Sequence, residues 1–458
     1  TYSRGVQIIE DNSDALQAFQ LMQEAFHRNT SYPGWRLFQI HFIVSNIPSV
    51  VREENLHTAD LLHVDTGGGK SEAYIGLFIF TAFYERLTGK KAGVSCISKF
   101  PLRMLTLQQA ERVAEFVAHA EKIRAENKIP GEPISLGYLV GQTDIFPRKS
   151  EYDTQNIEKK RGKVISECPF ADCNGSICLK RNPDDKTVIH QCKNCQEKIY
   201  IYYTYEEVYR KLPSIIVGTV DKYASLGVSE RMRGIFGGKI NLCDNHGYLP
   251  RGTTCKAEKG TCKRTGKQID METLSSPKLV VQDEMHLIKE EFGTINAHFE
   301  TMMQELQKAF TGKQPKYLLM TATVEGAKQQ VKEVYDKETL IFPPKPVSDD
   351  DIFFRQTDET HRIILGLKPN KRENNYAIRK TFESLRENLQ YIHENKEAVA
   401  SGLELQEEEL LDIVDNYKHV LSYHHRKNDV HDIHYYTEQK DEDEERYYSV
   451  RPRPLTGD

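Results

Sequence analysis

No apolar run among the 458 residues reaches the ~20 residues that a bilayer-crossing helix needs. A charged-then-apolar leader is missing as well, so a soluble, cytoplasmic protein without a membrane partner is expected. Positive charge is not in excess, since 62 Lys and Arg stand against 67 Asp and Glu for a formal charge of −5. That balance argues against a globally basic nucleic-acid coat and leaves local patches at Lys90-Lys91, Lys159-Lys160-Arg161 and residues 256–267. Cysteine is scarce outside one stretch: eight of the nine fall between Cys168 and Cys262, and only Cys96 lies elsewhere. Such local use excludes a disulfide framework spread over the protein. Thr1 stands where an initiator Met would, so a fragment or processed chain is expected. The length exceeds the about 250–300 residues at which single cores stop growing, which points to two or three domains.

What is present begins with a phosphate cradle. Asp65-Thr66-Gly67-Gly68-Gly69-Lys70-Ser71 lies between a short apolar run, Leu61-Leu62-His63-Val64, and a Pro-free stretch over residues 71–87 rich in Ala, Leu, Ile, Phe and Tyr. Consecutive glycines let backbone N–H groups approach phosphate oxygens with no Cβ in the way. Lys70 can reach the β- and γ-phosphates, and Ser71 can ligate Mg2+. Strand, loop and helix are the context such a loop requires. The strict pattern has an earlier glycine where this chain has Val64, and a flexible glycine turn is the bland alternative; the Lys-Ser that follows directly argues against it. ATP with Mg2+ is therefore the expected cofactor, held by Thr66, Gly67, Gly68, Gly69, Lys70 and Ser71.

A second nucleotide motif follows downstream. Leu279-Val280-Val281-Gln282-Asp283-Glu284-Met285-His286 reads as an apolar strand ending in two carboxylates and a histidine. Asp283 is placed to hold the Mg2+, Glu284 to act as general base toward the attacking water, and His286 to sense the γ-phosphate or contact the next motif. By itself an acidic pair after a strand is an ordinary solvated turn; the phosphate loop gives it meaning. A further strand, Tyr317-Leu318-Leu319-Met320, ends in Thr321-Ala322-Thr323, whose hydroxyls suit coupling between the ATP site and a bound strand.

In this order the motifs resemble those of a superfamily two helicase with a DExH box. Pro101-Leu102-Arg103-Met104-Leu105-Thr106-Leu107-Gln108 fits that superfamily's Pro-Thr-Arg-x-Leu-x-x-Gln strand-grasping motif at Pro101, Arg103, Leu105 and Gln108. Gly218-Thr219 looks like the next DNA-contacting motif, and Thr321 to Thr323 like motif III. Trp35-Arg36-Leu37-Phe38-Gln39 resembles the segment in which a glutamine reads adenine; the alternative for Gln39 is a buried amide at a helix start. More narrowly, Phe38-Gln39 to Pro48, Thr66 to Gly76, Leu102 to Gln109, Gly218 to Tyr223 and Gln282 to Ile288 resemble the DrmA-type helicases of prokaryotic DISARM antiphage systems, over about residues 30–370. The resemblance implies an ATP-driven DNA translocase that acts with a companion, DrmB-like protein and methylation-linked defence components. DNA rather than RNA rests on the resemblance alone.

Between Lys70 and Asp283 the chain is far longer than a minimal ATP-binding lobe requires, so an insertion is expected. Cys168-x4-Cys173 and Cys192-x2-Cys195 form two knuckles of a zinc ribbon, with Cys178 and His190 as spare candidates. Cys243-x2-His246 with Cys255-x6-Cys262 offers ligands for a second Zn2+, with a less regular second half. Small buried hydrophobes in a reducing cell are the alternative reading of these cysteines, and structural stapling is favoured over contact with DNA or a partner.

The fold expected is α/β: a doubly wound parallel-sheet RecA-like ATPase lobe over residues 61–143 and 213–345. A helical region at 1–60 carries Gln39, and a zinc-ribbon-like insertion spans 144–212. A second Cys/His-rich insertion covers 239–276, and a helical region over 346–458 leads into a partial second lobe that starts near Val420. The histidines at 424, 425, 431 and 434 are read as solvated. No Gln-x-x-Gly-Arg-x-Gly-Arg motif supplies an arginine finger, which contributes about a thousandfold or more in phosphoryl transfer. Slow turnover by this segment alone is expected, with the finger supplied from outside it. Two functions fit: an ATP-dependent DNA helicase or translocase, or a zinc-stabilised nucleic-acid-binding scaffold that uses ATP as a switch to hold a partner. A nuclease is disfavoured, for no cluster of Asp, Glu and Lys outside the ATP motifs suggests two-metal chemistry.

Overall fold

The computed structural model describes residues 1–29, 34–64, 68–140, 163–171, 173, 175–181, 187–226, 230–255, 262–288, 290–321, 326–344, 373–417, 429–430 and 432–433. The chain divides into two compact units, Thr1–Gln356 and Thr357–Asp458.

The first unit opens with three helices, α1 (Tyr2–Asp11), α2 (Ser13–His27) and α3 (Leu37–Val51). Asn12 starts α2 by accepting the Ala15 N–H at 2.9 Å. Strands and helices then alternate as β1 (Thr58–His63), α4 (Lys70–Leu87), β2 (Ala92–Gly93), β3 (Cys96–Phe100), α5 (Arg103–Glu126) and β4 (Leu136–Leu139). A small antiparallel sheet of β5 (Ile177–Arg181), β6 (Val188–Cys192) and β7 (Lys198–Ile199) follows. The chain returns through β8 (Ile201–Tyr202), α6 (Tyr205–Lys211), β9 (Ile215–Thr219) and α7 (Val220–Leu226). A second antiparallel sheet, β10 (Ile240–Cys243), β11 (Gly247–Pro250) and β12 (Lys267–Gln268), precedes β13 (Leu274–Ser275), which pairs with β2. The unit closes with β14 (Leu279–Gln282), α8 (Glu290–Thr311), β15 (Lys316–Thr321), α9 (Ala327–Tyr335) and β16 (Glu338–Phe342).

Eight of these strands form one sheet in the order β16-β1-β15-β14-β3-β9-β4-β8, and every neighbouring pair is parallel. A parallel sheet needs both faces covered, and the strands alternate accordingly. Leu62, Cys96, Phe100, Ile215, Val217, Leu279, Val281, Leu318 and Met320 pack with α2, α3, α4 and α5 on one face. Leu61, Ile97, Ile216, Val280, Tyr317 and Leu319 belong to the core on the other face, with residues of α8 and α9. This is the doubly wound α/β arrangement expected from the sequence. One boundary differs: β8 lies within the span assigned to the zinc-ribbon insertion, yet it joins the main sheet by pairing with β4. A two-residue edge strand carries too little pattern to be seen in the sequence.

Two buried lysines interrupt the apolar pattern of the strands. Lys99 on β3 pairs with Glu300 of α8, both side chains being fully buried. Tyr317 donates to the same carboxylate at 3.1 Å, and the Lys99 ammonium lies 5.6 Å and 5.7 Å from the ring centres of Tyr317 and Tyr335. Lys316 ties the amino end of β15 to that of β1 through Thr58 O at 3.0 Å and Asp60 Oδ1 at 2.6 Å.

The second unit contains α10 (Asn374–Glu394), α11 (Lys396–Gly402) and α12 (Glu407–Asn416), with Leu389, Ala400, Leu410 and Val414 buried. The strand expected near Val420, the histidines at 424, 425, 431 and 434 and the acidic run at 441–445 lie outside the described residues. Among the described residues no helix is long and apolar enough to cross a membrane.

Candidate nucleotide site and metal centres

The phosphate loop leaves the carboxyl end of β1, which lies between β15 and β16. Asp65, Thr66 and Gly67 fall outside the described residues; Gly68 to Ser71 do not. Gly69 has φ +89°, a region that suits glycine, and a Cβ added there would stand 2.6 Å from Gln39 Nε2. Lys70 is buried and spans the loop, donating to Val64 O at 3.0 Å. From α3, Gln39 Nε2 donates to Gly69 O at 2.8 Å and Arg36 Nη1 to Gly68 O at 2.6 Å. Gln39 Oε1 in turn accepts the Arg36 N–H at 2.7 Å. Both ends of the Gln39 amide are thus engaged, and the residue stands as a buried anchor of the loop. Arg36 was not singled out in the sequence, because nothing in its neighbourhood shows that its guanidinium reaches residue 68.

Two strands away, β14 ends in the carboxylate pair. Asp283 is held through its backbone, whose N–H donates to Lys99 O at 3.0 Å. Gln282 Nε2 bridges Lys99 O and Asp283 O at 3.2 and 2.9 Å. Asp283 Oδ1 accepts the Glu284 N–H at 2.8 Å. Glu284 adopts a left-handed conformation, φ +46°, uncommon for a residue with a Cβ, and this turn brings its carboxylate to 3.3 Å from His286 Nδ1. The same nitrogen lies 3.3 Å from Thr321 Oγ1 at the end of β15, and His63 Nδ1 lies 3.4 Å from Thr321 O. His286 therefore stands between Glu284 and Thr321; Ala322 and Thr323 lie outside the described residues. Burial pushes the Asp283 carboxyl up to about 6. The Glu284 charge adds to the rise, while the Glu284 N–H and the Lys70 ammonium oppose it. Ionising Asp283 is costly without a cation, so the residues present fit a divalent ion beside Asp283 and Ser71.

The proposed strand-contacting residues share this carboxyl edge on its other half. Pro101 follows β3, Gln108 is exposed on α5, and Gly218 and Thr219 end β9 in register with Lys99 and Phe100 of β3. The Arg103 backbone opens α5, and its side chain is outside the described set. Gly218 is required sterically, since a Cβ would meet Leu139 O at 2.6 Å. Thr219 is buried, with its hydroxyl unpartnered.

The cysteines converge into two clusters. Sγ atoms of Cys168 and Cys195 lie 3.7 Å apart and those of Cys173 and Cys192 3.5 Å. Cys243, His246, Cys255 and Cys262 form the other, with contacts of 3.6 to 3.9 Å. Within each group every ligand atom is within 4.8 Å of the others. A tetrahedral thiolate site with ~2.3 Å bonds has edges of about 3.8 Å, so both clusters fit a metal ion. Cys178 and His190 are in neither; Cys178 donates instead to Gln191 O at 3.3 Å. Against burial, the backbone N–H groups of Cys195 and Asn194 bring the Cys192 thiol down to about 7, whereas burial and neighbouring sulfurs push Cys168 up. Four thiolates this close need a cation. The modules also have little core of their own: Leu179 and Val188 in one, Leu249 in the other. At roughly 1.5–3 kcal/mol per buried side chain, these cannot offset an ordering cost of about 1–2 kcal/mol per residue.

Both modules dock at the amino end of the sheet, away from the phosphate loop. His119 and Lys122, late on α5, contact Pro169 O at 3.0 Å and Glu197 at 3.3 Å. In the second module Tyr248 donates to Glu132 at 3.0 Å, and Arg210 of α6 donates to Cys255 Sγ at 3.3 Å. This geometry fits stapling better than a place on a strand track along the opposite edge.

No protein-family profile matches the chain. It is similar to DISARM protein DrmA of Bacillus paralicheniformis, 28% identical over 480 residues that cover 92% of this chain and 42% of that protein. The chain thus spans less than half the length of this relative. Among solved structures it is similar to the DUF1998 helicase MrfA bound to DNA, at 13% identity over 70% of this chain and 27% of that one, with a TM-score of 0.38. It is also similar to the Mycobacterium smegmatis helicase Lhr bound to single-stranded DNA and AMP-PNP, at 14% identity over 87% and 40%, with a TM-score of 0.39. Both structural likenesses are too loose to carry an argument.

Proposed function

We propose that this chain is the ATP-binding part of a superfamily two DExH-box DNA helicase or translocase acting in prokaryotic antiphage defence of the DISARM type. The observation that carries the reading is the convergence of Lys70, Asp283, Glu284, His286 and Thr321 on the adjoining carboxyl ends of β1, β14 and β15. This is the crevice in which open α/β sheets bind nucleotides. Gly67, Gly68 and Gly69 present backbone N–H groups to the phosphates, and Lys70 exchanges Val64 O for phosphate oxygens. Ser71 and Asp283 would hold Mg2+, which would supply positive charge beside the phosphates. Glu284 orients the attacking water and accepts its proton, and His286 connects that carboxylate to Thr321. Pro101, Arg103, Gln108, Gly218 and Thr219 line the strand-binding half of the edge, and Gln39 anchors the loop beside the adenine. The two Cys-rich clusters hold structural Zn2+. DNA is the substrate, a DrmB-like protein the companion and the cytoplasm the location, supported by the similarity to DrmA.

Steady-state ATPase of the intact protein, with single-stranded DNA, duplex DNA or RNA, tests the reading beside Glu284→Gln. DNA-stimulated turnover that falls about 100-fold or more in the variant is expected. Tight ATP binding without stimulated turnover would overturn it in favour of an ATP-switched scaffold.

A further inference from the structure

Two side-chain links outside the motifs join the first turns of α4, beside the phosphate loop, to α5, which carries the strand-contacting residues. Tyr74 is fully buried and donates its hydroxyl to Gln109 Oε1 at 2.9 Å. Glu72, also buried, pairs with Arg112 one turn further along α5. Gln109 is adjacent to Gln108 but turned inward, half-buried where Gln108 is exposed. At its other end the Tyr74 hydroxyl interacts with Ser71 and lies in the field of Asp283. Tyr74 has one proton, and it goes to Gln109. Ser71 stands one turn before Tyr74 on α4, so the phenol is adjacent to the side chain that opens the phosphate site.

We infer that Tyr74–Gln109 and Glu72–Arg112 are positioning contacts that couple nucleotide occupancy at Ser71 to strand binding at the start of α5. The inference rests on the function proposed above. A Mg2+-bound Ser71 fixes the Tyr74 hydroxyl, Tyr74 fixes Gln109, and the turn of α5 that carries Gln108 is held in one arrangement. Glu72–Arg112 acts in parallel from the same turn of α4. Strand binding at Gln108 pulls the same contacts in reverse, since coupling between two ligands is reciprocal.

The test is the affinity of this chain for fluorescent single-stranded DNA with and without Mg-AMP-PNP, and for Mg-AMP-PNP with and without the DNA. In the wild type each ligand should tighten the other by the same factor, at least about fivefold. Gln109→Leu, which touches neither ligand, should leave each separate affinity within twofold and lower the factor by about twofold or more, and the Gln109→Leu/Arg112→Leu double variant should bring it close to one; Gln109→Glu, which keeps an acceptor for Tyr74, should retain it. Arg112→Leu should lower the factor partially. Undiminished coupling in Gln109→Leu and in the Gln109→Leu/Arg112→Leu double variant would overturn the inference and leave the proposed function standing. A wild type that binds no DNA, or binds it identically with and without nucleotide, would overturn both.

Discussion

Replacing Lys99 with Met removes one partner of an ion pair from which water is fully excluded. Burial lowers the Lys99 pKa even though Glu300 opposes the shift, so ionisation is already costly there, and an uncompensated Glu300 carboxylate would be costlier. Lys99→Met and Glu300→Leu should each destabilise the first unit by about 3–5 kcal/mol, the range for breaking a buried pair. The double variant keeps the volume and removes both charges. Its remaining defect is the Tyr317 hydroxyl, which loses its Glu300 acceptor, so a loss of about 1–3 kcal/mol is expected, far short of the sum of the singles. Urea unfolding read from the fluorescence of the single tryptophan, Trp35, monitors this unit alone, because Trp35 packs on Phe26 of α2 with ring centres 4.2 Å apart. The Lys99 carbonyl also holds Asp283 N and Gln282 Nε2, so the single variants should bind Mg-nucleotide more weakly as well. Singles that each cost under about 1 kcal/mol and add in the double would refute the reasoning, for they would mean that the pair is solvated.

Metal analysis of the purified chain should find two Zn2+; Cys173→Ser should lose one and Cys178→Ser neither, and equal loss in both variants would break the ligand assignment. His119 is a buried packing group outside the clusters whose protonation opposes folding. Burial holds its pKa down to about 4 from 6.5, against a hydrogen bond to Pro169 O. The folded state keeps it neutral while the unfolded chain takes up a proton, so stability is lost as pH falls through 6.5 toward 4. Between pH 7.5 and pH 5 the wild type should lose about 2 kcal/mol more than His119→Gln, measured by urea unfolding; parallel losses would remove His119 from the account.

How much of this could be read beforehand depended on range. The loop at 65–71 and the knuckles Cys168/Cys173 and Cys192/Cys195 are short segments in which residue type and spacing carry the chemistry, so each was legible by itself, whereas the Asp283-Glu284 pair took its meaning from the loop. Gln39 was legible as a candidate but not in its contacts, because its partner Gly69 lies thirty residues away. Lys99 gave no signal at all: a lysine in an apolar strand reads as an edge position until Glu300 of a distant helix is placed against it.

The sequence by itself determined the parallel α/β class and marked out the candidate phosphate loop, the carboxylate pair and the two candidate metal-ligand sets, since local patterning and spacing within a loop or knuckle suffice for these. Tertiary structure alone decided that β15 stands between β1 and β14 and so brings Thr321 and Glu284 to either side of His286. It also decided that α4 and α5 are linked through Tyr74 and Glu72, and that both Cys-rich modules dock at the amino end of the sheet. The physical reason is strand order: neighbours in the sheet are separated by up to 280 residues of chain, as Thr58 and Glu338 are, and they are chosen by the burial of both sheet faces together rather than by any pattern within one segment.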